Sequence, residues 1–309
     1  MTKQVLCVGA AVLDTIFRVR TLPTGEGKVL PYDMVQIPEG MASSAAYAVV
    51  RLGGAATLWG AVGDDERGHR IRQGLAADGI DTDGMRIAPG APSALSTILV
   101  DDHGDRLIIP FYDHRLHAEP PRVTEDDLAR FDAVLVDVRW PALARQVLRV
   151  ATGLGIPAIL DGDVAPVDTL RDLAAFATHI IFSEPAARSL STERNEAALV
   201  RDLAEQFGTA LVSVTFGERG SYWLEPEGRT LCHQPALAID AIDTLAAGDA
   251  FHGAFALGLA EEMSVADAIR LGSVTAALKC TVFGGRRGMP LRADAQAALR
   301  RLSPVQTGL

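Results

Sequence analysis

The stretch Ile242-Asp243-Thr244-Leu245-Ala246-Ala247-Gly248-Asp249-Ala250-Phe251-His252-Gly253-Ala254-Phe255 runs a turn of small residues into an apolar helix, with an aspartate where the helix begins. Small residues let backbone N–H groups converge on an anion without obstruction, and the helix N-terminus adds its partial positive charge at the same point. The N–H groups of Ala246, Ala247 and Gly248 are the candidate donors. Asp249 adds a carboxylate that cannot itself be a ligand for a phosphate, because like charges repel. It suits a general base for an alcohol attacking phosphorus. Taken alone, an aspartate at this place is more often an ordinary helix N-cap. His252, further along the helix, reads as structural.

Other chemically capable side chains stand just beyond apolar runs. Asp14 follows the run Val5-Leu6-Cys7-Val8-Gly9 by a few residues, where a carboxylate can accept two hydroxyl groups, or merely close a surface turn. Arg139 directly follows the run at 133–138. Its guanidinium is a planar fork matched to phosphate, carboxylate or sulfonate, and its alternative is a surface ion pair. Asp161-Gly162-Asp163 ends another run. Either carboxylate could touch a sugar or a hydrated Mg²⁺, with Asp163 the candidate metal contact, but a turn-forming Asp-Gly-Asp is the simpler account.

Positioning these residues requires strands that alternate with helices. Residues 5–9, 57–62, 133–138, 157–160, 179–182 and 210–214 read as strands, and 42–52, 68–78 and 142–153 as helices. The continuous apolar run at 133–138 suits a parallel strand covered on both faces. The expected fold is therefore α/β, a doubly wound (Rossmann-like) parallel sheet with ligands at the strands' carboxyl ends. Residues 15–36 and 95–112 break the rhythm with extended, alternating patterns, and 96–100 and 106–109 flank Asp101-Asp102-His103-Gly104-Asp105 as a hairpin.

The 309 residues suffice for one large domain, and 48% apolar content excludes a mainly disordered chain. A net charge of −10 argues against nucleic acid or an anionic membrane as partner. Three scattered cysteines, Cys7, Cys232 and Cys280, suit a reducing cytoplasm, with Cys7 a small apolar core residue. No apolar run approaches transmembrane length and no signal-peptide pattern is present.

The segment 243–249 resembles the Asp-Thr-x-Gly/Ala-Ala-Gly-Asp signature of the ribokinase/PfkB sugar kinases. Its companions occur in order: Asp14 after the first strand; Glu39-Gly40-Met41-Ala42-Ser43-Ser44-Ala45-Ala46, then Leu52-Gly53 and Gly60-Ala61-Val62-Gly63-Asp64-Asp65; and Val214-Thr215-Phe216-Gly217-Glu218-Arg219-Gly220, like the nucleotide-side Thr-x-Gly-x-x-Gly element. The resemblance covers essentially the whole chain. It implies a single ribokinase-like domain over 1–309, with 15–36 and 95–112 forming a β-sheet lid that often serves for dimerisation, here a homodimer. It implies ATP and Mg²⁺ as cofactors and leaves a monovalent cation open. It places Asp14, Gly40, Ser43 and Ser44 at the sugar, and Thr215, Gly217, Gly220, Ala277 and Val282 at the nucleotide. Arg139 at the crevice and Lys28 in the lid segment together suggest an anionic acceptor, their alternatives being a surface ion pair and a solvated charge. Where the family carries Asn-x-x-Glu this chain reads Phe182-Ser183-Glu184-Pro185, which leaves Glu184 as a metal candidate. The first signature has Ser43-Ser44 in place of its usual Asn.

Within the family, Asp137-Val138-Arg139-Trp140, Leu160-Asp161-Gly162-Asp163, His233-Gln234-Pro235 and Ala276-Ala277-Leu278-Lys279-Cys280-Thr281 with Gly284-Gly285-Arg286 are similar to the sulfofructose kinase branch, whose members phosphorylate 6-deoxy-6-sulfofructose. Pro110, in Ile109-Pro110-Phe111-Tyr112, departs from the polar sulfonate contact expected in the lid. The expected activity is phosphorylation of a primary hydroxyl on an anionic ketohexose. Kinases for a neutral sugar (fructose, ribose), for 2-keto-3-deoxygluconate, or for a nucleoside or vitamin are the alternatives, as is a non-catalytic sugar-binding regulator. Val8-Gly9-Ala10-Ala11-Val12 lacks the dinucleotide-binding glycine spacing, which weighs against a nicotinamide oxidoreductase.

Overall fold

The computed structural model of the chain describes residues 2–208, 210–225 and 230–308. The first strand, β1 (Gln4–Gly9), alternates its side chains between two cores: Leu6 and Val8 join one, Val5 and Cys7 the other. That two-residue period on a wholly apolar strand requires cover on both faces. One face takes α1 (Met41–Arg51), α2 (Glu66–Ala77), α8 (Ala247–Ala260), α9 (Val265–Cys280) and α10 (Arg292–Leu299). The other takes α4 (Pro141–Gly153), α5 (Val167–Ala174), α6 (Glu184–Leu190) and α7 (Glu196–Phe207), with the short α3 (Glu125–Leu128) beside α4.

Among the described residues the main sheet has ten strands in the order β14-β13-β12-β11-β10-β9-β8-β1-β4-β5. The strands β4 (Ala55–Gly63), β5 (Arg86–Ala88), β8 (Ala133–Val136), β9 (Ala158–Gly162), β10 (His179–Ser183) and β11 (Leu211–Thr215) run parallel to β1. The far edge, β12 (Ser221–Leu224), β13 (Leu231–Gln234) and β14 (Gln306–Thr307), is antiparallel. The expectation of a parallel sheet therefore holds for the strands that bear the site but not for this edge. After β1 the chain builds outward on one side through β4, then returns to build β8 on the other. The carboxyl ends of β1 and β8 thus form the crevice of a topological switch point.

A second sheet of four strands has the order β3-β2-β6-β7 and comprises β2 (Val12–Arg18), β3 (Asp33–Glu39), β6 (Leu95–Val100) and β7 (Arg106–Phe111). It reaches three residues further at each end of its first hairpin than the 15–36 pattern indicates, so Asp14 and Glu39 lie on the small sheet itself. β6 and β7 pair antiparallel as a hairpin. Asp101 closes its turn, accepting from the N–H groups of His103 (2.9 Å) and Asp105 (3.1 Å). All three cysteines are free and buried.

Candidate functional site

The switch point is fastened by Asp137, just past β8. Its buried carboxylate accepts N–H bonds from Ala10 (2.8 Å), Ala42 (3.1 Å) and Arg139 (2.8 Å). One side chain thereby joins the end of β1, the start of α1 and the end of β8. The carboxylate lies so close to Gly9 that any side chain there would collide with it. Gly40 caps α1 at φ 114°, and an added Cβ would sit 2.5 Å from Ala10 O. Of the residues expected at the sugar, Gly40 is therefore required by a close backbone approach. Ser43 and Ser44 are wholly buried and already partnered, with Ser43 Oγ donating to Ala10 O at 2.8 Å and Ser44 Oγ donating to Glu39. They hold the frame beneath the crevice.

Asp14 sits in β2 opposite Ile37 and Ser96. It is 6% exposed, and among the described residues one of its carboxylate oxygens has no partner. Burial, reinforced by the charge of Glu39 and opposed by a hydrogen bond from Ser96, raises its pKa to about 8. A buried acceptor without a partner is costly, and a ligand hydroxyl is what would relieve it.

The anion-hole turn enters α8 through Ala246, at φ 60° and ψ 15°. This left-handed conformation costs a non-glycine residue about 1 kcal/mol. No side chain caps the helix. Ala247 N–H closes the turn with a long 3.3 Å bond to Thr244 O, and the N–H groups of Gly248 and Asp249 have no acceptor within the helix. Asp249 is the third helical residue and Ala246 the N-cap, so the capping account of Asp249 is set aside. Burial raises the pKa of Asp249 well above the ordinary carboxylate value, and Glu39, Asp163, Asp137 and Asp14 push it further. Its own surface is only half-buried.

Below Asp249, His252 bonds Gly248 O through Nδ1 (2.7 Å) and Ile181 O through Nε2 (3.3 Å), with Asp161 at 3.5 Å. This fits the structural reading of His252: it ties the start of α8 to β10. Asp161 and Gly162 are strand residues in β9, not a turn. Gly162 is small because the Phe182 ring fills the space a Cβ would need. Only at Asp163 does the chain leave the strand; there Ser183 Oγ donates to Oδ1 (2.9 Å) and Arg139 pairs with Oδ2 (3.6 Å). Arg139 also donates to Val164 O at 3.0 Å, and its side chain remains about one-third exposed (35%). Lys28 stands exposed between β2 and β3.

On the nucleotide side, Thr215 ends β11 and donates to Phe182 O (3.4 Å). Gly217 (φ 59°) and Gly220 (φ 86°) bracket a tight turn, and a side chain at Gly220 would run into Gln234 O. Arg219 in that turn pairs with Glu184 (2.5 Å) and Glu196 (3.2 Å), and Glu184 also holds Arg188 at 2.7 Å. Glu184 thus braces the glycine turn with two guanidiniums already on it. Ala277 packs partly buried on α9, and Val282 is exposed just beyond it. Among the described residues no group of three or more His, Cys, Asp or Glu side chains is arranged to hold a metal. A Mg²⁺ ion carried on nucleotide phosphates would need few protein ligands here.

Sequence reasoning assigned no role to Glu39, Asp137 or Tyr112. Glu39 is buried and accepts from Arg286 N–H (2.8 Å) as well as from Ser44. Tyr112, just past β7, stands 39% exposed within electrostatic reach of Arg139, Asp137, Asp14 and Asp249. Asp137 carried a usable signal, an acid at a strand end two residues before the crevice arginine; Glu39 and Tyr112 become visible only through the pairing of the small sheet.

A parallel sheet whose switch point meets an uncapped helix N-terminus beside a carboxylate suits the transfer of a phosphoryl group to an alcohol. The model of the pfkB family of carbohydrate kinases matches residues 2–292, and the chain belongs to that family. It is an ATP-dependent carbohydrate kinase. It is 28% identical to the ATP-dependent ribose-1-phosphate kinase of Halopiger xanaduensis, over 96% of this chain and 97% of that one. To the fructokinase of Klebsiella pneumoniae it is 29% identical, over 97% and 100%. The crystal structure of a candidate ribokinase from Agrobacterium tumefaciens superposes with a TM-score of 0.96 at 59% identity, over 97% and 98%.

Proposed function

We propose that this sugar kinase phosphorylates a primary hydroxyl of an anionic ketose, with 6-deoxy-6-sulfofructose the acceptor suggested by its sequence resemblance. The observation that carries the reading is Arg139, a partly exposed guanidinium at the end of β8 whose salt-bridge partner among the described residues, Asp163, lies at the long distance of 3.6 Å. A bidentate anion competes well for such a fork. A relative named for ribose 1-phosphate shows an anionic acceptor within the family.

Asp14 takes sugar hydroxyls on its free oxygen, and Asp249 accepts the proton of the attacking hydroxyl. The burial and like charges that raise the proton affinity of Asp249 are what a base requires. The N–H groups at the start of α8 hold the transferring phosphoryl group, and most of the acceleration comes from this positioning and charge stabilisation. Mg²⁺, bound with the nucleotide, supplies positive charge that the acidic crevice lacks. The outward face of β7, an unpaired edge with Leu107, Ile108, Ile109 and Phe111 exposed, supports a homodimer through the lid. Free, buried cysteines accord with a cytoplasmic protein.

A second reading, a neutral acceptor such as fructose or ribose, draws on the same residue: Arg139 already has Asp163 and Val164 O as partners. The two separate by ADP release with Mg-ATP across sulfofructose, fructose 6-phosphate, fructose, ribose, tagatose and 2-keto-3-deoxygluconate, for wild type and Arg139→Ala. The anionic reading expects the substitution to lower kcat/KM for the anionic acceptor at least about tenfold more than for a neutral one. Equal losses return Arg139 to its ion pair.

A further inference from the structure

Lys279, near the C-terminal end of α9, is wholly buried. Withdrawing an ammonium from water costs several kcal/mol unless close partners compensate. Its Nζ donates to Asp243 O at 2.6 Å and lies 3.5 Å from Asp243 Oδ2. That carboxylate also accepts from the N–H groups of Leu245 (2.8 Å), Gly284 (2.9 Å) and Gly285 (3.0 Å). The N–H groups of Ile242 and Asp243 both reach Cys280 O, at 2.8 and 3.1 Å. The ammonium therefore sits inside a knot that ties the end of α9 and the loop after it to the turn leading into α8.

The charge, and not only the bulk, has work to do here. The last turn of a helix favours a cation. Glu39, which acts on both Asp14 and Asp249, also acts on Lys279, so the ammonium counters part of the acidity beneath the crevice. Asp243 precedes the first anion-hole residue by three positions, at most about 11 Å of chain. A main-chain carbonyl and a carboxylate oxygen are hard oxygens of the kind a free cation seeks; here Nζ hydrogen-bonds the first and pairs with the second. An ordinary buried ion pair would give the same distances, so the discriminating property is the response to free cations.

We propose that Lys279 is a tethered cation that orders the Asp243–Gly248 turn, so that phosphoryl transfer in this enzyme does not depend on K⁺ or another monovalent cation. Lys279 is a positioning residue, acting through Asp243. The inference rests on the kinase reading for its turnover arm; its stability arm does not.

The test compares wild type, Lys279→Ala and Lys279→Met in K⁺-free buffer and in KCl or methylammonium chloride at matched ionic strength. Wild-type turnover and Tm should be the same in all three. Lys279→Ala, which opens the ammonium's space, should lose turnover by about ten- to a hundredfold, as when an outer-shell partner is removed, and should recover it with K⁺ or methylammonium. Its Tm should rise with the same cations, since they bind the folded state. Lys279→Met fills the stem without the charge and should lose turnover without rescue, which also decides the matter if the alanine variant does not fold. K⁺ activation of wild type, a folded alanine variant indifferent to cations, or a fully active methionine variant would each overturn the proposal. Silence of the wild type on every sugar would count against the kinase reading alone, leaving the Tm comparison to judge Lys279.

Discussion

Replacing Asp14 by asparagine should make the ligand-free enzyme more stable and a poorer kinase. Asp14 is 6% exposed, has one oxygen unpartnered and faces the charge of Glu39. Its pKa of about 8 against an unfolded value of 3.8 gives the sign: the folded state binds the proton more tightly. Its contribution to stability is therefore full below about pH 4 and is lost as pH rises towards and through about 8. At pH 7 the folded chain must carry a proton that the unfolded carboxylate has released, across about three pH units. At about 1.4 kcal/mol per unit this amounts to about 4 kcal/mol. Asparagine is nearly isosteric and needs no proton, so that loss disappears, less whatever its amide forfeits in hydrogen bonding. For a chain of this size the expected gain in Tm at pH 7 is about 5 °C, near zero at pH 4. Differential scanning calorimetry of the ligand-free proteins between pH 4 and 8 reads it directly, and sugar-dependent turnover should fall with a raised KM. Equal Tm values at pH 7, or a gain at pH 4 as large as that at pH 7, would refute the argument. It would mean that Asp14 ionises normally in the folded protein.

Two further outcomes test the phosphate side. Asp249→Asn should keep nucleotide affinity by calorimetry while kcat falls by at least about a hundredfold, the range expected for a lost general base; turnover near normal would remove the base from the mechanism. Ala246→Gly should raise stability by about 1 kcal/mol in urea denaturation, because glycine accepts the left-handed conformation that alanine holds at φ 60°, and turnover should be retained. A destabilised variant would show that the turn is not strained.

The local signals in the chain were strong where one physical cause dominates. The run into β1, the small-residue turn before Asp249 and the hairpin around 101–105 each follow from periodicity or turn chemistry, and each lies where expected. Reading failed where distant contacts override local preference. Asp161-Gly162-Asp163 has turn composition, yet Phe182 packs over Gly162 and keeps Asp161 in the strand. On the alanine-rich α1, spacing could not tell whether Ser43 and Ser44 face a ligand or the frame; their hydroxyls answer to Ala10 and Glu39. At the antiparallel edge, β14 pairs with β13 across more than seventy residues, which no local pattern reports. The burial of Lys279 likewise depends on a partner 36 residues away.

The small sheet does more than roof the crevice. Arg106, which opens β7, hydrogen-bonds Thr244 in the turn before α8, and Asp14 lies two strands away in the same sheet. The sheet that carries Asp14 thus also contacts the turn leading into α8. On the proposed function, a sugar held by Asp14 and a nucleotide phosphate held at the start of α8 would both bear on this sheet, and any tightening of one by the other would be reciprocal. Water carries no ring of hydroxyls to settle the sheet, so it gains none of this coupling. On the proposed function, the Arg106–Thr244 hydrogen bond would then favour transfer to the sugar over idle hydrolysis of ATP.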